Sequence, residues 1–137
     1  MDQRERLANP PMKLGRGSVV FVDLDPTLGH EQAGSRPAVV VSDPDIAAHQ
    51  RYPLVCIVPI TSTTWEGSLY PRLGAGPSGL RKESWALIDQ IRSIDKRRIQ
   101  RIYGSLSTQE LEIIDTGLAL FLSLPAPGVG ETADQSD

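Results

Sequence analysis

An arginine at the end of a long loop is the first residue whose position suggests chemistry. The stretch 25–37 holds two glycines and two prolines, which predicts a loop that is long for a hairpin. Arg36 stands directly before Pro37, and proline biases the preceding residue towards an extended backbone. A guanidinium held there can clamp a phosphate and neutralise charge in a transition state. A surface arginine paired with Asp25 or Glu31 is the alternative.

Four hydroxyl-bearing residues follow the most apolar segment of the chain. They are Thr61, Ser62 and two further threonines, and Trp65 comes directly after them. Thr61 and Ser62 would leave the end of a strand, which is a rigid place from which to present a hydrogen-bond donor. Hydroxyls that cap a turn would produce the same pattern. Trp65 is a candidate for stacking on a nucleobase.

A third polar segment lies in a basic part of the chain. Polar and apolar residues partly alternate over 87–96, which predicts that Gln90 and Arg92 share one face. The formal net charge is -3, yet residues 72–101 contain eight basic and three acidic residues, with Arg81 and Lys82 among the basic ones. Such a region can follow a phosphate backbone, although a solvated charged face is the alternative.

The elements that would position these residues are mostly short strands. Apolar, β-branched runs predict strands over 18–23, 37–42, 54–60, 68–73, 84–91 and 100–106. A helical turn is expected from Pro44 to His49, and a longer helix begins at Ser107 with a capping box to Glu110. Gly117 inside that helix suggests a close packing contact. The pattern predicts a mainly β fold, a strongly bent antiparallel barrel with short helices and a C-terminal helix.

Composition limits the other possibilities. The single cysteine, Cys56, excludes an internal disulfide, and the two histidines lack a convincing third metal ligand, so we expect neither a metal nor a cofactor. The sequence shows no apolar membrane span and no secretory leader, which predicts a cytoplasmic protein. We expect a flexible arm over 1–12, one domain over 13–124 and a disordered acidic tail over 125–137.

The three polar segments, taken together, resemble the MazF/PemK family of endoribonuclease toxins. The match runs through 16–26 and 29–42, and it returns at 60–62 and 89–96. Glu-Gln-x-Gly-x-Arg-Pro at 31–37 combined with Asp-Gln-Ile-Arg at 89–92 is a specific pattern. The resemblance implies an SH3-like curved barrel that forms homodimers and cleaves single-stranded RNA at short sequences. It also implies a toxin that inhibits translation and is blocked by a cognate, MazE-like antitoxin with an acidic segment.

The resemblance also assigns roles to individual residues. Arg36 matches the family's catalytic arginine, and Thr61 matches its catalytic hydroxyl residue. Glu31 and Gln32 match a mobile loop at the RNA groove, and Gln90 matches a residue that contacts the substrate. The predicted RNA-binding set is completed by four residues: Arg92, Trp65, Arg81 and Lys82.

The expected reaction uses the RNA's own 2′-hydroxyl as nucleophile and leaves a 2′,3′-cyclic phosphate and a 5′-hydroxyl. Arg36 would supply positive charge and Thr61 would hold a phosphate oxygen, but neither is a good general base at neutral pH. Glu31, His30 and Ser62 are further candidates in or near the site. His30 stands where several relatives carry a small residue, so both a catalytic role and a solvent-exposed histidine stay open. The rival interpretations are a same-fold, non-enzymatic toxin that binds DNA gyrase, and a peptide-binding module.

Overall fold

The computed structural model describes residues 13–125. The proposed arm at 1–12 and all of the proposed tail except Pro125 lie outside these residues. The seven strands are β1 (Ser18–Asp23), β2 (Ser35–Val40), β3 (Leu54–Thr61), β4 (Arg72–Leu73), β5 (Ser84–Ala86), β6 (Arg92–Asp95) and β7 (Ile99–Ser105). The helices are α1 (Pro44–Ala48) and α2 (Thr108–Leu122), with short 3-10 helices at Ile88–Gln90 and Lys96–Arg98.

All seven strands belong to one curled antiparallel sheet. Its order is β4-β5-β3-β2-β1-β7, and β6 pairs with the first half of β3 while β5 pairs with its last residues. One long strand therefore holds two partners along the same edge. The pairing of β1 with β7 shifts register twice, and such irregularities bend a sheet and increase its twist. The predicted fold class is confirmed.

The strands carry a hydrophobic cluster on each face of the sheet because their side chains alternate. Val19, Val39 and Val58 are aligned across three strands and belong to the cluster that α2 covers through Ile114 and Leu118. The next position on each strand points the other way, so Val20, Val40 and Ile57 join a second cluster that Ala47 of α1 closes.

Two of the predicted strands differ from the observed ones by more than a shift of one or two residues, whereas β2 lies two residues before the predicted 37–42. Within 68–73 only Arg72 and Leu73 are paired, because the backbone turns where Tyr70 N donates to Gly67 O. The run predicted as one strand over 84–91 divides after Ala86 into a 3-10 helix, and β6 then returns to pair with β3. The alternation that suggested a shared face for Gln90 and Arg92 therefore does not come from one strand.

The C-terminal helix begins as predicted. The Ser107 hydroxyl accepts from Glu110 N while the Glu110 carboxylate accepts from Ser107 N, and together they satisfy two otherwise unpaired donors. A Cβ on Gly117 would lie 3.1 Å from Ile88 Cγ1, so the predicted close contact is confirmed. It seats α2 on the 3-10 helix that carries Asp89 and Gln90. Within residues 13–125, no helix has the length and apolarity needed to cross a membrane.

Candidate active site

Arg36 and Thr61 line the same cavity, which has a volume of about 450 Å3. The strands explain why they meet. Ala38 pairs with Pro59 in the β2–β3 ladder, and two further steps in this register bring Arg36 opposite Thr61. Directly opposed residues of antiparallel strands project their side chains to the same face of the sheet. The cavity therefore lies where both strands leave their mutual pairing, at one end of the sheet.

Among the residues that the structure describes, those that line this cavity carry only positive charge. Its charged residues are Arg36, Arg81, Lys82 and Arg101, and no acidic residue of the described chain is among those that line it. Ser62 also lines it and is exposed. Four positive charges around one concave surface create a field that attracts phosphate groups. Arg81 and Lys82, predicted from the sequence as RNA-binding residues, thus lie beside Arg36 and Thr61.

A close contact between two segments brings Arg81 and Lys82 to the cavity. A Cβ on Gly104 of β7 would lie 2.7 Å from the carbonyl oxygen of Pro77, and a Cβ on Gly79 would lie 2.5 Å from Tyr103 Cβ. Only glycine allows such an approach at both positions, and Gly79 also has a φ of +90°. The loop before Arg81 consequently lies directly on β7.

The Arg36 side chain is held by one hydrogen bond of its Nε to the carbonyl oxygen of Ala33, at 2.8 Å. The ion pair with Asp25 or Glu31 that sequence reasoning left open is absent from residues 13–125. Instead Asp25 accepts from Gly34 N, and Glu31 accepts from Leu28 N. This hydrogen bond uses Nε alone. The two terminal nitrogens of the guanidinium have no hydrogen-bond partner within the described residues.

Thr61 is the last residue of β3 and is 4 % exposed, so its side chain is fixed by the strand. Its hydroxyl oxygen accepts from Thr63 N at 3.2 Å, as the turn-capping alternative predicted. A hydroxyl that accepts one hydrogen bond retains its own proton for donation. Turn capping and donation into the cavity are therefore compatible.

Four of the remaining predicted residues meet at a second cavity of about 120 Å3, lined by Glu31, Gln32, Gln90 and Arg92 together with Pro59, Asp89 and Ile91. Gln32 N donates to Gln90 Oε1 at 2.8 Å, which ties the loop between β1 and β2 to the 3-10 helix. Arg92 donates to the carbonyl oxygen of Leu24 at 3.0 Å. This cavity is adjacent to the first, since Pro59 and Thr61 are two residues apart on β3.

An aromatic pair lies beside the second cavity. The Trp65 ring is 4.9 Å from the Tyr70 ring between centroids, and Trp65 is 39 % exposed. Tyr70 donates its phenolic hydrogen to Asp89 Oδ2 at 2.7 Å. This hydrogen bond to Asp89 raises the pKa of Tyr70, with burial adding to the effect, so the phenol stays protonated and donating at neutral pH.

Neither proposed general base lines the cationic cavity. His30 is exposed in the loop after β1, and Glu31 lines the second cavity. Residues 13–125 contain no group of three His, Cys, Asp or Glu side chains arranged to hold a metal ion. Sequence reasoning did not single out Tyr103, which lines the first cavity, or Tyr70, which contacts Asp89. Both are tyrosines that flank the basic region 72–101, and their closeness to it in sequence is the signal that could have found them.

This combination of a curled antiparallel sheet and a cationic cavity at its end defines the class of protein. The model of the PemK-like, MazF-like toxins of type II toxin-antitoxin systems matches residues 15–122, so the chain belongs to that family. The family that the sequence motifs indicated is confirmed.

Individual relatives agree with this assignment. The chain is 38% identical over 115 residues to endoribonuclease MazF9 of Mycobacterium tuberculosis, a match that covers 80% of this chain and 96% of the relative. It is 32% identical to endoribonuclease EndoA of Bacillus subtilis, a match that covers 82% of this chain and 97% of that relative. The crystal structure of MazF from Deinococcus radiodurans superposes on this chain with a TM-score of 0.71 at 25% identity. The superposition covers 83% of this chain and 100% of that one. The predicted enzyme class, an endoribonuclease, is confirmed by these relatives.

Proposed function

We propose that this protein cleaves single-stranded RNA at specific sequences without a metal ion. The products are a 2′,3′-cyclic phosphate and a 5′-hydroxyl, and cleavage of transcripts inhibits translation in the cytoplasm. The observation that carries the proposal is the placement of Arg36 and Thr61 on one cavity whose charged lining residues are all cationic among those described.

The reaction follows from what RNA and this cavity each supply. The 2′-hydroxyl loses its proton and attacks the adjacent phosphorus, while the bond from phosphorus to the 5′-oxygen breaks and that oxygen gains a proton. Charge accumulates on the phosphoryl oxygens, where the free nitrogens of Arg36 stabilise it. The Thr61 hydroxyl donates to a second phosphoryl oxygen and fixes its direction.

Glu31 and His30 remain the proposed proton acceptors. Both belong to the loop between β1 and β2, whose residue Gln32 is attached to Gln90 across the second cavity. A substrate strand that occupies both cavities would pass beneath this loop. In this arrangement the nucleotides that flank the scissile phosphate contact four residues: Gln32, Gln90, Arg92 and Trp65.

The test uses purified protein and a long single-stranded RNA in excess EDTA. We expect discrete fragments that carry cyclic phosphate ends, and no cleavage of a DNA of the same sequence because DNA lacks the 2′-hydroxyl. Arg36→Ala should lose about 10²–10³-fold in rate. Arg51→Ala, which changes an exposed arginine outside the cationic cavity, is the matched control. Cleavage of the DNA strand at the same rate would contradict the mechanism.

Two partners belong to the proposal. A structure of MazE–MazF from Deinococcus radiodurans is 28% identical to this chain, with a TM-score of 0.63 and coverage of 81% of this chain and 96% of that one. We propose that a cognate antitoxin binds here through an acidic segment that competes with RNA for the cationic cavity. The second partner is another copy of the chain. Four apolar residues near the end of α2 are exposed, which favours a homodimer: Leu120, Phe121, Leu122 and Leu124.

The gyrase-binding alternative predicts a different outcome of the same variant. A folded Arg36→Ala protein that no longer cuts RNA and still arrests growth would favour that alternative.

A further inference from the structure

The second cavity contains two polar atoms that lack a partner. Asp89 Oδ1 and Gln32 Oε1 are both buried, and neither accepts a hydrogen bond from any described residue. Both residues line the same cavity. A buried acceptor without a donor is unfavourable, and in native proteins such an atom calls for an explanation. Two of them on one cavity indicate a ligand that brings hydrogen-bond donors.

The Asp89 carboxylate is held in position from outside the cavity. Tyr70 donates to its other oxygen at 2.7 Å, and the Trp65 ring packs on Tyr70. The helix α2 packs on the neighbouring residue, Ile88, through Gly117. A side chain fixed by such contacts presents its free oxygen in a defined direction, which recognition of a specific hydrogen-bonding edge requires.

We propose that this cavity is a base-reading subsite in which Asp89 and Gln32 accept hydrogen bonds from guanine. The inference rests on the proposed ribonuclease function and specifies its substrate. Guanine carries two adjacent donors, N1–H and the N2 amino group, on its Watson–Crick edge. Adenine and cytosine place one amino group beside an acceptor, and uracil places its single donor between two acceptors. Guanine is thus the base whose edge satisfies both unpartnered oxygens.

The position of the subsite fits a nucleotide close to the scissile phosphate. Pro59 lines the second cavity and Thr61 the first, and two residues of a strand span about 7 Å. Gln32 and Arg36 are likewise four residues apart on one segment that borders both cavities. A strand whose phosphate lies at Arg36 can therefore place a neighbouring base in the second cavity, where the exposed Trp65 is nearby to stack on the next one.

Both oxygens are buried in this structure, and the loop that carries Gln32 forms one wall of their cavity. That loop is attached to the opposite wall through the hydrogen bond from Gln32 N to Gln90 Oε1. The base enters as this loop is displaced and is then enclosed by it. Asp89 and Gln32 are specificity-determining residues in this arrangement, and Tyr70 is a positioning residue that acts through Asp89.

The experiment maps cut sites in a random-sequence RNA library for the wild type, Asp89→Asn and Tyr70→Phe. We expect the wild type to require guanine at one position near the cut. Asp89→Asn replaces one acceptor oxygen with an amino donor, so it should reduce the preference for guanine at that position by about tenfold or more. Tyr70→Phe should weaken the same preference without changing its identity, and the preferences at all other positions should stay the same.

The proposal would be overturned by cut sites without a preferred guanine, or by an Asp89→Asn protein that is slower everywhere with an unchanged preference. That second result would assign Asp89 a purely structural role and would leave the ribonuclease proposal intact. A wild type that cuts no RNA would contradict the proposed function instead.

Binding tests the subsite separately from cleavage. Folded Arg36→Ala protein is titrated with pentaribonucleotides that contain one guanine or none, and the combined fluorescence of its two tryptophans, Trp65 and Trp85, reports binding. Tighter binding of the guanine-containing strands, lost in Arg36→Ala/Asp89→Asn, is the expected result. Equal affinities would overturn the assignment.

Discussion

Arg36 and Thr61 lie opposite each other when the β2–β3 register is continued past its last paired residues, and both line one cationic cavity. Neither side chain has an acidic partner within residues 13–125. This arrangement presents a guanidinium and a hydroxyl to the same small space, where a single phosphate can contact both.

The first prediction concerns the coupling of these two residues. If both contact one phosphate, the effects of Arg36→Lys and Thr61→Val on the cleavage rate should not add, because the residues act as a unit. Lysine keeps the charge but loses the planar fork, so we expect a loss of about tenfold or more. Thr61→Ser should retain most activity because it keeps the hydroxyl. Strictly multiplicative losses in the double variant would show that the two residues act independently.

The second prediction concerns salt. Each phosphate contact to a single strand contributes about -0.7 to the slope of log affinity against log salt concentration. Arg81→Ala and Lys82→Ala should each make this slope shallower by about that amount in RNA binding to a cleavage-deficient protein. Arg51→Ala is the control, since Arg51 lies outside the cationic cavity. Unchanged slopes would remove both residues from the RNA groove.

Local signals in the sequence predicted those parts of the fold that local physics determines. The Ser107–Glu110 capping box marks the start of α2, and β-branched runs mark β1, β3 and β7. The division of 84–91 was not predictable in this way. Its continuation, β6, is determined by pairing with the distant first half of β3, and nothing in the alternation of residues encodes that partner.

The candidate site likewise has features that the sequence could predict and features that depend on the assembled fold. The loop before Pro37 and the hydroxyls from Thr61 onwards were visible as sequence features, but their convergence depends on the β2–β3 register, which no local feature encodes. Only the family resemblance assigned Arg36 and Thr61 to one site. Tyr103 was missed because its place in the cavity depends on the loop at Gly79, which is far away in sequence. Asp89 was seen only as part of a motif. Its unpartnered oxygen is a property of the assembled cavity.

The third prediction tests the glycine contact that positions Arg81 and Lys82. A Cβ on Gly104 would lie 2.7 Å from a backbone oxygen of Pro77, so Gly104→Ala must push the loop away from β7. We expect the free energy of unfolding to fall by about 1–3 kcal/mol, and the salt dependence of RNA binding to weaken as well. Gly15→Ala is the control, because its Cβ would meet only Ser18 Oγ at 4.0 Å. A Gly104→Ala protein of wild-type stability would contradict this account.

The fourth prediction concerns the attachment of α2 to the segment before β1. The Arg16 guanidinium makes two hydrogen bonds to the Asp115 carboxylate, and its Nε donates to Val41 O. Both side chains are about three-quarters covered, at 27% and 24% exposed. Asp115→Asn should therefore lower the free energy of unfolding in urea by about 1–2 kcal/mol. Glu112→Gln, on an exposed part of the same helix, should change it little. Equal effects of the two variants would mean that the ion pair contributes nothing.

The fifth prediction concerns the proposed homodimer. Leu120 is 61% exposed and Phe121 43% near the end of α2, beside an apolar cavity of about 430 Å3 that Leu118 and Leu122 help to line. Sedimentation of the wild type should give twice the chain mass. Leu120→Glu should give a folded monomer, because it places a charge where the partner would bury an apolar side chain. Thr116→Glu, also exposed on α2, should remain dimeric. A monomeric wild type at micromolar concentration would contradict the dimer. A monomeric Leu120→Glu protein that still cuts RNA would show that each cationic cavity works without the second copy.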